Sequence, residues 1–179
     1  MSEAIELELT YLASAIPPEL ENCEHKRLSD VYFPAHATHA KLRIRQKGDT
    51  FELTKKTQAD PNDAGNQREE NIVLTLEEYG ALAAGEGRSV TKTRYYLPYN
   101  GLTAEVDVFE GDLSGLVIVE FEFDTVESKQ GFAMPNFCLA DVTQEDFVAG
   151  GVLAGKSYAD LGPNLAQLHY QPLAWQVPA

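Results

Sequence analysis

Polar and apolar residues alternate with period two over several stretches of the chain, the pattern of β-strands that bury one face. Ile5-Glu6-Leu7-Glu8-Leu9, Lys41-Leu42-Arg43-Ile44-Arg45, Ala104-Glu105-Val106-Asp107-Val108 and Val119-Glu120-Phe121-Glu122-Phe123 carry it, and Lys92-Thr93-Arg94 leads into Tyr95-Tyr96 in the same way. Successive strand side chains point to opposite faces, so each charged pair shares one face and its apolar neighbours share the other. A first strand is expected over about residues 3–12, broken by Pro17-Pro18, with a short helix from Glu19 to Lys26. Strands follow from Ser29 to Phe33 and from Ala40 to Gln46, and Gly48-Asp49 turns the chain back into Phe51 to Lys56. Composition predicts a loop over Asp60 to Asn66 and then a strand from Arg68 to Leu74. Thr75, followed by Glu77 and Glu78, predicts a capped helix running to about Ala84. Asn100-Gly101 joins strands near Val90–Tyr99 and Leu102–Phe109 as a hairpin, and a further strand covers Leu116–Phe123. From Thr125 onward the pattern is helical and irregular, with breaks at Pro135 and Gly150-Gly151. Residues 1–170 are expected to form one domain, and 171–179 a docked or frayed tail.

The signs of the charged pairs change the picture. They are uniform within each strand, acidic in the strands of Glu6, Glu105 and Glu120 and basic in those of Arg43 and Lys92. One such pair is ordinary on the solvated face of a half-buried sheet. A solubilising surface intersperses its signs, however, and like charges two residues apart repel without counter-ions. Segregated clusters fit the walls of a binding site better. A mainly β fold, an antiparallel sheet closed into a barrel with its polar face lining the lumen, places Glu6, Glu8, Glu105, Asp107, Glu120 and Glu122 opposite Arg43, Arg45, Lys92 and Arg94. The apolar face then packs outward under helices. An enclosed carboxylate without a partner costs several kcal/mol, so the lining needs its own cations, a metal or a ligand. Oxygen-only acidic clusters suit Mg²⁺ or Mn²⁺ shared with substrate phosphates, and arginine forks suit phosphate oxygens.

The chain is long enough, at 179 residues, to bury a real core in a single domain. Its net charge of −14 repels nucleic acid and anionic membrane surfaces, so neither is an expected partner, and an anionic ligand requires locally concentrated bases. No apolar run is long enough to span a bilayer, and MSEAIELELT lacks the features of a signal peptide, so a cytoplasmic location is expected. Cys23 and Cys138 have neither redox nor metal-ligand spacing. His25, His36, His39 and His169 lack metal spacing, and Tyr170, Trp175 and the Tyr95-Tyr96 pair read as packing residues.

Taken in order along residues 5–123, these stretches resemble the CYTH superfamily, also called triphosphate tunnel metalloenzymes, and in particular its short bacterial tripolyphosphatases. The matching segments are Glu6-Leu7-Glu8, Lys41 to Arg45, Leu53-Thr54-Lys55-Lys56, Lys92 to Tyr95, and Glu105 to Leu116 leading into Val119 to Phe123. The resemblance implies an eight-stranded antiparallel tunnel that holds a linear triphosphate and, with Mg²⁺ or Mn²⁺, hydrolyses it. Carried over by position, Glu6 and Glu8 are metal-binding and catalytic, and Glu120 and Glu122 are further metal ligands. Arg43, Arg45, Lys56, Arg68, Lys92 and Arg94 grip phosphate, Arg94 also being catalytic. Glu105 and Asp107 orient lumen bases, with Asp107 reaching metal through water. Thr10 stands where the family motif E-x-E-x-K has lysine, and is taken as the catalytic position. Asp141-Val142-Thr143 stands at the carboxy-terminal motif, with Asp141 as a metal ligand, but the basic run that follows in the family is replaced by Glu145-Asp146. The partner implied is a small-molecule triphosphate or polyphosphate. The competing readings are a tunnel that holds polyphosphate or a nucleoside triphosphate without cleaving it, and adenylate cyclisation, for which no base-recognition pocket is legible. Which triphosphate is bound, the number of metals and whether the chain forms a homodimer stay open at this point.

Overall fold

The computed structural model describes residues 2–175. Its strands are β1 (Ser2–Ala13), β2 (His25–Phe33), β3 (Leu42–Lys47), β4 (Thr50–Asp60), β5 (Asp63–Leu74), β6 (Arg88–Tyr99), β7 (Leu102–Phe109), β8 (Val117–Phe123) and β9 (Cys138–Asp141). They form one sheet in the order β5-β4-β3-β2-β6-β7-β8-β1-β9, and β1 also pairs with β5. That pairing closes an eight-stranded antiparallel barrel and leaves β9 as an addition outside the ring. The length of β1 makes closure possible: its first half pairs with β5 up to Leu7, and Leu7 to Leu12 pair with β8 on the opposite edge. β9 takes the edge that β5 has left, at Tyr11 to Ala13. A closed ring exposes no strand edge to another chain.

Among the described residues, four α-helices accompany the barrel: α1 (Leu76–Ala83), α2 (Val126–Gln130), α3 (Gly150–Leu153) and α4 (Gly162–Gln167). Thr75 and Glu78 form a reciprocal capping box at the start of α1. Asn100 and Gly101 both have positive φ, 48° and 80°, the geometry of a tight turn between strands of natural twist. The segment expected to be helical after Pro18 is only a 3₁₀ turn over Pro18–Asn22, and β2 starts at His25. The expected loop over Asp60 to Asn66 is mostly strand, because β4 runs to Asp60 and β5 begins at Asp63. Asp63 and Gly65 tie it into the fold, although the buried Asn66 Oδ1 has no partner among the described residues. Asp63 accepts the Gly65 N–H and the Lys129 ammonium, and a Cβ at Gly65 would lie 2.3 Å from the Glu8 carbonyl oxygen.

The outer faces of β1, β6, β7 and β8 form one apolar core, in which Tyr95, Val106, Val119 and Phe121 are fully enclosed under Leu20, Phe132, Phe137 and Trp175. Each such burial contributes about 1.5–3 kcal/mol. The tail docks here, with Trp175 Nε1 donating to Tyr95 Oη at 2.9 Å, while residues 176–179 lie outside the described residues. A second core fills one end of the barrel. There the inward-facing Leu12, Tyr32, Val90, Phe109 and Ile118 meet Val142, Phe147, Val148, Leu153 and Leu161. While α1 lies against the outside of β3, β4 and β5, the segment from Val142 onward is therefore a plug. The two glycines that read as breaks are its close-contact points. A Cβ at Gly150 would lie 2.2 Å from Tyr32 Oη, and one at Gly151 would lie 1.9 Å from the Ala40 carbonyl oxygen. No helix among the described residues is long and apolar enough to cross a membrane.

Candidate functional site

The plug closes only part of the lumen, and the rest is a cavity of about 330 Å³ with a charged lining. β1 contributes Glu6, Glu8 and Thr10; β3 contributes Arg43, Arg45 and Lys47; β4 contributes Glu52, Thr54, Lys56 and Gln58. Lys92 and Arg94 come from β6, Glu105 and Asp107 from β7, and Glu120 and Glu122 from β8. All obey the period of two, so the alternation that buries the apolar face also delivers every second side chain to the lumen. Asp30 on β2 and Glu69 on β5 complete the wall.

The charges form three linked groups. Lys56 Nζ lies 2.6 Å from Glu6, 2.8 Å from Glu8 and 3.2 Å from Glu69. Arg45 donates a two-pronged fork to Asp30, Nε to Oδ1 at 2.6 Å and Nη2 to Oδ2 at 2.7 Å. Arg94 makes the same kind of fork to Asp107, both bonds at 2.6 Å, and also donates to Glu105 and Glu120, while Lys92 shares Asp107. Asp107 is wholly enclosed, so its charge is tolerated only because two cations hold it. Arg43 differs from the rest. Its Nη1 reaches Tyr32 Oη at 3.3 Å and its Nη2 lies 3.7 Å from Glu69, but its buried Nε has no partner in the protein. A buried donor left unsatisfied costs about 1–3 kcal/mol, which an anion in the lumen would recover.

Burial and mutual repulsion tune the acids in different directions. Burial, opposed by Lys56, pushes the Glu6 carboxyl up to about 7. Burial and the neighbouring Glu8 raise Glu122. At Glu8 burial acts the same way, but the Lys56 ammonium outweighs it and the carboxyl falls below its ordinary range. Glu120 is likewise held low, burial being overcome by Arg94. Oxygens of Glu6, Glu8 and Glu122 all lie within 4.8 Å of one another. Three hard carboxylate donors at that separation, two of them reluctant to ionise without a cation, match the donor set of a magnesium- or manganese-sized ion. Lys56 supplies a cation to the same cluster in its absence.

A model of the CYTH domain matches residues 4–135, well over half of the chain. The chain belongs to the CYTH domain family. An inorganic triphosphatase of Nitrosomonas europaea is 36% identical over 118 residues, which cover 64% of this chain and 74% of that protein. The crystal structure of the inorganic triphosphatase NE1496 superposes with a TM-score of 0.63 and 29% identity, over 86% of this chain and 96% of that one. The PH1012 protein of Pyrococcus horikoshii shares the fold, with a TM-score of 0.50 and 19% identity over 70% of this chain and 82% of that one.

Within this CYTH tunnel, Glu6, Glu8, Thr10, Arg43, Arg45, Lys56, Lys92, Arg94, Asp107, Glu120 and Glu122 converge on one cavity, as their spacing predicts. Lys55 is exposed, and it is Lys56 that faces inward. Two predicted residues lie elsewhere. Arg68 pairs in register with Ile5 and is exposed on the outer face, because the inward positions of β5 are Gln67 and Glu69. Asp141 pairs with Tyr11, whose side chain is in the outer core, and its carboxylate caps Thr143 instead, at 2.6 Å from the hydroxyl. The lumen position of that motif belongs to Thr143, whose Oγ1 accepts the Thr10 N–H at 2.9 Å. Asp107 and Glu120 line the lumen, but Arg94 occupies oxygens of both, so neither joins the three-carboxylate cluster. Asp30 and Glu69 were missed because neither has a second acid two residues away. The signal for Asp30 is the alternation Leu28, Asp30, Tyr32, and for Glu69 the polar run Gln67, Glu69, Asn71.

Proposed function

We propose that this chain is a metal-dependent triphosphatase that hydrolyses a linear triphosphate held in its tunnel, with Mg²⁺ or Mn²⁺ as the ion. The observation that carries the proposal is the adjacency of a three-carboxylate cluster, Glu6, Glu8 and Glu122, to a wall of enclosed bases in one closed lumen. The inorganic triphosphatase of Nitrosomonas europaea, with which the chain shares 36% identity, supports the same reading. Glu6, Glu8 and Glu122 would hold the ion, which when bound neutralises phosphate oxygens and activates water.

The residues of the chain supply the rest. Phosphoryl transfer needs positioning and charge stabilisation more than covalent chemistry. Arg43, with its unspent Nε, is the readiest phosphate donor, and Lys56 becomes available once its carboxylates have another cation. Arg45 and Arg94 are held rigid by Asp30 and Asp107, so their charge is presented without reorganisation. In the reaction, the water oxygen bonds to the terminal phosphorus and the bridging P–O bond breaks. Diphosphate leaves with the electron pair, and the proton of the water passes to solvent. The test is phosphate release from tripolyphosphate with Mg²⁺ and with Mn²⁺, for the wild type and Glu8→Gln. Metal-dependent release that Glu8→Gln abolishes supports the proposal; equal turnover by the two would refute it. A second reading rests on Thr10, which presents a hydroxyl but no charge to the lumen. Binding of tripolyphosphate without release would favour a tunnel that holds its ligand uncleaved.

A further inference from the structure

Five lumen bases, Arg43, Arg45, Lys56, Lys92 and Arg94, are ion-paired with lumen acids. Among the described residues, Lys41 and Lys47 are the lining cations that form no ion pair with a carboxylate. Lys47 instead lies over the Tyr96 ring, 5.5 Å from its centre. Lys41 stands just before β3, at the end opposite Lys47, so that the lining positions 41, 43, 45 and 47 form a basic ladder. Its ammonium rests against His39, 2.8 Å from Nε2. The backbone places it level with Lys56, whose N–H donates to the Lys41 carbonyl at 3.1 Å.

The lining changes sign on the segment that faces Lys41. Glu145 and Asp146, on the loop following Val142, share this cavity wall, and both are exposed. Asp146 Oδ1 lies 3.5 Å from His39 Nδ1, and Lys41 Nζ lies 3.3 Å from the same nitrogen, so the imidazole links the last cation of the ladder to the acids of the loop. Burial and the Lys41 charge depress the basicity of His39 against the opposing pull of Asp146, whose charge also acts on Lys41 without forming a direct ion pair. A cation outside any direct ion pair, followed by two acids, is an end-stop for a polyanion.

We propose that this rim sets the length of the phosphate chain: Lys41 takes the last phosphate admitted, and Glu145 and Asp146 repel any that follow. The inference rests on the triphosphatase reading and adds a substrate class to it, phosphate chains of three units in preference to four or more. The interactions involved are solvent-facing, so each is worth about 1 kcal/mol, or about fivefold. The experiment compares kcat/KM for tripolyphosphate and tetrapolyphosphate in the wild type, Lys41→Gln and Glu145→Gln/Asp146→Asn. Calorimetric titration of both anions into the same proteins accompanies it. The wild type is expected to prefer tripolyphosphate. The double variant should raise the tetrapolyphosphate-to-tripolyphosphate ratio about fivefold, and Lys41→Gln should raise the KM for tripolyphosphate by a similar factor with little change in kcat. A double variant with an unaltered ratio would overturn the proposal. Wild-type protein that hydrolyses neither anion would sink the triphosphatase reading instead, and the binding ratio from calorimetry would still decide the role of the rim. All three side chains are exposed, so the variants keep the fold.

Discussion

Asp30 offers the sharpest test of how the lumen is held together. Its carboxylate and the Arg45 guanidinium are 3% and 8% exposed and joined by two bonds of 2.6 and 2.7 Å. Solvent screening is slight at that depth, so the figures for surface pairs do not apply. Burial alone would raise the Asp30 carboxyl; Arg45, with help from Arg43 and Lys92, outweighs it and holds the group well below the ordinary carboxylate range. Asp30→Asn keeps the shape and removes the charge, leaving Arg45 enclosed without its counter-ion. Breaking a buried pair from one side costs about 3–5 kcal/mol. At about 2–4 °C per kcal/mol for a chain of this size, the melting temperature should fall by roughly 10 °C. Because the folded-state pKa is depressed, the stability this pair contributes is present above the unfolded pKa and lost only as pH falls through the folded value. The deficit of the variant should therefore be constant from pH 6 to 8 and shrink in strong acid. The assay is thermal denaturation by circular dichroism across pH, with Asp30→Leu/Arg45→Met as the companion. Removing both charges should recover most of the loss. A single variant that loses less than about 1 kcal/mol, or a double variant no better than the single, would show that the fork is not what holds Arg45.

Gly151→Ala places a methyl where the Ala40 carbonyl oxygen already stands, 1.9 Å from the new Cβ, so the plug must shift. A loss of about 1–3 kcal/mol in urea denaturation is expected, and wild-type stability would show that the plug is loosely seated. The Glu6 carboxyl, raised from 4.5 to about 7 mainly by burial, makes the folded protein bind a proton that the unfolded chain releases. Its contribution to stability therefore falls as pH rises through that window in metal-free protein. The Tm of Glu6→Gln relative to wild type, measured with a chelator present, should climb between those limits; a flat difference would contradict the assigned shift. Thr10→Lys brings a cation into the lumen opposite Glu120, its register partner on β8. Turnover of tripolyphosphate should rise by roughly tenfold if missing charge is what limits the wild type, and an unchanged kcat would remove that explanation.

The barrel and most of its site were legible because one rule governs both. Glu6 and Glu8, Arg43 and Arg45, and Glu120 and Glu122 each announce a strand and an inward face at once, and closure then has little choice but to bring them together. What lacked a pair was missed. Asp30 and Glu69 have no acid two residues away, and nothing in the sequence says that Arg45 and Lys56 need them. Arg68 was misplaced by one position, which in a strand reverses the face. Asp141 failed for the same reason, since its facing is decided by the pairing of β9 with Tyr11 rather than by its own neighbours. The residues Asp60 to Asn66 have a loop's composition, and their strand conformation comes from tertiary partners, Lys129 on α2 and the backbone of β1. The plug escaped notice because its helices are a turn or two long, too short for a periodic signal.

The account depends above all on the carboxylates of Glu6, Glu8 and Glu122 forming a cation site beside the bases proposed to grip phosphate. Crystals grown with tripolyphosphate and Mn²⁺, measured at the manganese absorption edge, address it directly. The prediction is an anomalous peak bonded to oxygens of those three residues, with phosphate density against Arg43. A manganese peak away from the three glutamates, or phosphate bound outside the barrel, would contradict it.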